Sequence, residues 1–61
     1  MNDNERLFVA EMKKQLHIRG WTYSDLAKET GYSVISIKKL VSGERHSVAL
    51  VNSVSRALGM R

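Results

Sequence analysis

Cysteine and proline are both absent from this 61-residue chain. Without cysteine no disulfide staples the fold and thiolate chemistry is excluded; a reducing, cytosolic setting fits that usage. The absence of proline suits a compact helical chain, because no ring interrupts a helix from within. Long apolar runs are missing as well. Near the N-terminus, Leu7 to Ala10 is stopped by Glu11, far short of the roughly 20 residues a membrane helix needs. No basic leader precedes that run, so neither a signal peptide nor a membrane span is expected. There is no glycine-rich phosphate loop. The two histidines, His17 and His46, stand in no metal-like spacing with acids, so no metal or cofactor is expected. His17 reads as a solvated or capping side chain. No serine, histidine and acid fall together, and a domain this small has little volume for a substrate, so an enzyme is not expected.

Acid is also scarce in one half of the chain. Residues 1–30 carry Arg6, Lys13, Lys14, Arg19 and Lys28 against Asp3, Glu5, Glu11, Asp25 and Glu29, and cancel. Residues 31–61 carry Lys38, Lys39, Arg45, Arg56 and Arg61 against Glu44 alone, so the whole formal charge of +4 lies there. A basic half of this kind meets a polyanion, most often nucleic acid, or serves only as a solubility charge. At 61 residues the chain is expected to form one domain, 1–61, burying about 60% of the surface its unfolded form exposes.

What is present is helical periodicity with punctuation. Asp3 or Asn4 is expected to cap a first helix whose apolar face is Phe8, Met12 and Leu16, widened by Val9. Gly20 ends it. Thr22 caps a second helix, Tyr23 to Thr30, with Asp25 completing a capping box, Leu26 and Ala27 inward, and Gly31 as the stop. Ser33 caps a third, Val34 to Ser42, with Ile37, Leu40 and Val41 inward, ending at Gly43. Ser47 caps a fourth, in which Val48, Val51, Val54, Ala57 and Leu58 form the expected stripe with Leu50 beside it, closed by Gly59. The fold class is therefore all-α: a compact four-helix domain lacking a clear fifth helix.

The stretch from Thr22 to Gly43 is the organising one. Two short helices joined by so few residues cross steeply. They need a small residue where they approach (Ala27), a turn residue free to take positive φ (Gly31) and a branched residue to lock the pair (Ile37). Together with WTYSDLAKETGYSVISIKKLVSG and the closing VSRALGM, this resembles the lambda-repressor-like, Cro/C1-type (XRE) helix-turn-helix family over about residues 12–60. The resemblance implies a sequence-specific reader of double-stranded DNA, with the third helix in the major groove. Ser33, Val34, Ile35, Lys38 and Lys39 are then the outward, base-reading candidates. Thr22, Tyr23, Ser42, Gly43, Arg45 and His46 are the phosphate candidates.

Three departures from the family pattern shape the expectation. Many relatives carry arginine where this chain has Leu16 and glutamate where it has Val41, forming a buried pair; a double apolar replacement gives a dry contact instead, which is often neutral or stabilising. Val34 and Ile35 stand where relatives often place hydrogen-bonding residues, which points toward thymine methyls or toward a protein surface. Relatives usually continue with a fifth helix that helps them dimerise, whereas only Met60 and Arg61 follow Gly59 here, so a homodimer on a palindromic site stays open. The expected protein is a Cro/C1-like repressor, of phage or prophage type, acting in the cytoplasm at the nucleoid of a bacterial or phage-infected cell. Two alternatives remain: a DNA-binding accessory factor (excisionase-like, or an antitoxin), and a protein-interaction module presenting Val34, Ile35 and Leu7 or Phe8.

Overall fold

In the computed structural model, which describes residues 2–60, four capped helices follow one another: α1 (Asp3–Arg19), α2 (Tyr23–Thr30), α3 (Val34–Ser42) and α4 (Val48–Leu58). The ends of the expected domain, Met1 and Arg61, lie outside the described residues. The α2, α3 and α4 boundaries fall where the capping serines and threonine place them. α1 begins one residue earlier than expected. Asn2 is its N-cap: its side chain accepts from the Glu5 N–H at 2.9 Å, and the Glu5 carboxylate accepts from the Asn2 N–H at 3.2 Å. That reciprocal pair decides among Asn2, Asp3 and Asn4, all of them eligible caps, because only Asn2 has a glutamate three residues on.

Each helix buries one stripe. The core joins Met12 and Leu16 of α1, Leu26 and Ala27 of α2, Ile37 and Leu40 of α3, and Leu50, Val54 and Leu58 of α4. Val9 is buried beside it. Among the described residues no polar or charged residue is buried, so the core carries no unsatisfied charge to offset. Leu16 is buried and Val41 packs half-buried against the same cluster, so neither position brings a charge into the core.

α4 corrects one expectation. Its inward stripe is Leu50, Val54 and Leu58, at i, i+4 and i+8, with Val51 and Ala57 flanking. Val48 is 73% exposed. At roughly 100° per residue, Val48 stands about 120° from the centre of that stripe. The mixed spacing of the valines concealed this; Leu50 belongs to the core and Val48 to solvent.

α2 packs on α3 and on α4, and α1 packs on α4. The far ends of α1 and α4 are fastened by Arg19. Its guanidinium donates to the Leu58 carbonyl at 2.9 Å and to the Gln15 side chain at 2.6 Å, and lies 5.8 Å from the centre of the Trp21 ring. Arg19 thus acts as an internal brace as well as a basic residue at the negative end of the α1 dipole.

Candidate nucleic-acid interface

The turn between α2 and α3 is built from backbone demands. Gly31 takes φ +76° and donates its N–H to the Ala27 carbonyl at 2.9 Å. The Thr30 hydroxyl donates back to the Leu26 carbonyl at 2.9 Å. Ser33 then opens α3, accepting the Ser36 N–H at 3.1 Å while its hydroxyl donates to Ser36 Oγ at 3.1 Å. Three residues therefore suffice to reverse the chain, and Ala27, buried at the approach of the two helices, leaves room for their close crossing.

This turn fixes which side of α3 faces outward. Ile37 and Leu40 are fully buried. Ile35, Lys38, Lys39 and Ser42, at i, i+3, i+4 and i+7, are all exposed and share the opposite face. Ile35 is 67% exposed, one of four large aliphatic side chains, with Leu7, Ile18 and Val48, that face solvent among the described residues. Ser33 is exposed at the head of the helix.

Val34 is placed differently from the outward expectation. It is half-buried and packs against the core. The reason is its register: Val34, Ile37 and Val41 fall at i, i+3 and i+7, so Val34 flanks the inward stripe on the side where Val41 does. The i, i+4 pairing of Val34 with Lys38 hid this relation. Ser36, half-buried and tied to Ser33, is the α3 residue that sequence reasoning passed over. Its signal was the capping position three residues after Ser33.

The expected phosphate residues lie at the two ends of the α2–α3 unit. At the head of α2, Thr22 and Asp25 form a reciprocal capping box: the Thr22 N–H donates to Asp25 Oδ2 at 2.8 Å, and the Asp25 N–H donates to Thr22 Oγ1 at 3.3 Å. The Thr22 hydroxyl also donates to Asp25 Oδ2 at 3.1 Å. The Thr22 backbone N–H, then its hydroxyl and the nearby Lys28 hold the Asp25 carboxyl below the usual carboxylate range. Thr22 therefore offers its side chain to a phosphate only in competition with Asp25. Tyr23 and Ser24 stand in the first helical turn, where N–H groups have no intrahelical acceptor.

At the other end, Gly43 takes φ +83° and closes α3. The Arg45 N–H donates to the Lys39 carbonyl at 3.3 Å, while the Arg45 side chain is exposed. The Ser42 hydroxyl donates to the Lys39 carbonyl at 3.1 Å and lies 3.4 Å from Glu44 Oε2. His46 faces inward more than expected. Its ring meets the Phe8 ring edge-on at 6.1 Å and 86°, and its Nδ1 is buried with no hydrogen-bond partner among the described residues. Phe8 also packs against the core, in register at i, i+4 and i+8 with Met12 and Leu16, whereas Leu7 is 68% exposed.

The electrostatics follow from these positions. Lys38, Lys39 and Arg45 project from the outer face and the loop after it, with Glu44 as the acid between them. Such a surface, formed by one exposed helix face with cations at its far end and a capped helix head at its near end, suits a polyanion with a groove about 12 Å wide.

A family model described as the Cro/C1-type HTH DNA-binding domain matches residues 11–61. No curated protein and no solved structure matches the chain.

Proposed function

We propose that this chain, which belongs to the Cro/C1-type helix-turn-helix DNA-binding family, is a sequence-specific transcriptional regulator that reads the major groove with α3. The observation that carries the reading is the exposed Ile35, Lys38, Lys39 and Ser42 face of α3, set opposite the buried Ile37 and Leu40. A helix of nine residues is about 13 Å long and spans roughly four base pairs at about 3.4 Å each.

Within that reading, Ser33 and Ile35 stand nearest the bases. Ile35 has no hydrogen-bonding group and packs on thymine methyls. Val34 contributes only its solvent-facing half. Lys38 and Lys39 read guanine or hold a phosphate. Thr22 and Tyr23 contact the backbone on one side. Ser42, Gly43, Arg45 and His46 contact it on the other, His46 through the ring edge that does not carry the buried Nδ1. The whole of residues 1–61 acts as one domain, and the protein works at the nucleoid of a bacterial or phage-infected cell. Repression follows from occupancy of an operator, in the manner of a Cro/C1-like phage or prophage protein, and a palindromic operator accommodates two copies. An excisionase-like factor or an antitoxin would use the same interface and differ in its protein partner.

The test is a fluorescence titration of duplex DNA at 50 and 200 mM salt, with Lys39→Ala beside the native protein. The reading predicts measurable binding at low salt that falls steeply with added salt, and weaker binding by the variant. If Lys39 reads a base, its removal also costs about 1–3 kcal/mol of discrimination at one position. Absence of binding at 50 mM salt contradicts the reading.

A further inference from the structure

We infer that Lys13 and His17, on α1 and outside the helix-turn-helix itself, form an additional seat for the DNA backbone beside Tyr23. A cleft of about 420 Å³ is lined by Lys13, Leu16, His17, Trp21, Thr22 and Tyr23. Leu16 is its buried floor, Trp21 and Tyr23 are half-buried walls, and Lys13 and His17 are exposed at its rim. Lys13 and His17 are four residues apart on one helix, so their side chains stand one above the other. Together they offer an ammonium and an imidazole to the same space.

The charge around this cleft is one-sided. Among the described residues no acid lines it. Asp25, the partner of the lining residue Thr22, is turned onto the Thr22 N–H and hydroxyl. The other cation of the region, Arg19, is committed to Gln15, Leu58 and Trp21. Among the described residues Lys13 and His17 have no such partner, and both are exposed. An open, aromatic-walled recess with the Lys13 ammonium and the His17 imidazole on its rim suits a phosphodiester, whose oxygens only accept hydrogen bonds.

Continuity selects the DNA backbone over a free anion. Thr22 and Tyr23, proposed above to contact phosphate, line the cleft, so a strand held there would pass directly toward Lys13 and His17. This inference rests on the DNA-binding reading and lengthens the interface by a basic ledge on α1. Its contacts are to phosphate, so they add affinity and set the seating of the domain without reading sequence.

The experiment compares Lys13→Gln, His17→Gln and the double variant with the native protein on several duplexes of different sequence, each titrated from 50 to 200 mM salt. Lys14→Gln serves as the control: it removes the same charge from an exposed position of α1 that does not line the cleft. Each phosphate contact contributes about 0.9 to the slope of log affinity against log salt. Loss of the Lys13 contact therefore lowers the slope by about 0.9, and the native affinity advantage shrinks by roughly 3.5-fold between 50 and 200 mM salt. The double variant weakens binding to every duplex by a similar factor, and Lys14→Gln leaves the slope closer to native. Circular dichroism checks that the variants keep the native fold. Equal slopes for Lys13→Gln and Lys14→Gln overturn the inference, as does an effect confined to one duplex sequence. Failure of the native protein to bind any duplex overturns instead the DNA-binding reading on which the inference rests.

Discussion

Gly31→Ala isolates the backbone requirement of the turn from its packing. Gly31 takes φ +76°, and a Cβ built there meets nothing within 4 Å. Steric collision is thus removed from the account, and the cost is the left-handed conformation itself, about 1–2 kcal/mol for an L-residue. Part of that is returned because alanine restricts the unfolded chain more than glycine does, by about 0.4–1 kcal/mol where the native conformation is compatible. The net destabilisation is about 1 kcal/mol, which lowers Tm by about 4–8 °C in a domain of this size. Thermal melts followed by circular dichroism measure it, with Gly31→Asn as a companion that tolerates left-handed φ and loses less. Well below Tm, DNA affinity stays near native, since the residue lies in the turn rather than on the exposed face of α3. An unchanged or raised Tm for Gly31→Ala refutes the left-handed turn. A loss well above about 3 kcal/mol refutes the open space around it.

Other perturbations separate core from cap. Ile37→Ala empties a fully buried site and costs about 2–5 kcal/mol; against a marginal total stability of about 5 kcal/mol for so small a domain, the urea transition shifts to much lower denaturant or vanishes. Asp25 makes stability depend on pH. Its carboxyl is depressed in the folded state, so its contribution is fully present above the unfolded value of about 3.9 and is lost as pH falls through the lower folded value. Tm of the native protein should therefore fall more steeply below about pH 4 than that of Asp25→Ala; parallel curves would mean that the capping box does not hold in solution.

How much of this was legible in the sequence depended on the kind of signal. Caps and glycines were legible because each acts within four residues: Thr22 with Asp25, Ser33, Ser47, and the stops at Gly20, Gly31, Gly43 and Gly59 all stand where local chemistry places them. Packing was legible where a stripe had one spacing, as with Met12 and Leu16. It was less so where two registers competed. Val48 and Leu50 exchanged roles because a run of valines satisfies several helical spacings at once. Val34 was read by its i, i+4 neighbour Lys38 and not by its i, i+3 neighbour Ile37, and the second relation governs its burial. His46 and Phe8 meet across a separation of 38 positions, which no local pattern reports. The same holds for Arg19 and the Leu58 carbonyl, and for the cleft that brings Lys13 beside Tyr23.

The candidate interface divides along the same line. Ile35, Lys38 and Lys39 were placed outward by the family resemblance, with a helical spacing that agrees with it, and they are exposed. Thr22 was singled out through its family position, and its engagement with Asp25 became visible only in the structure. Of the positions that distinguish this chain from many relatives, Leu16 and Val41 bear on the core, Val34 stands half-buried at its edge, and Ile35 lies on the exposed face of α3.

Selection of bound duplexes from a random pool tests the central claim most directly. A sequence-specific reader using α3 enriches one short motif of roughly four base pairs, with thymines opposite Ile35, or two copies of that motif if a pair of domains binds. Ile35→Ala then relaxes the preference for thymine while leaving the salt dependence in place. A bound pool with the same sequence composition as the input contradicts the claim.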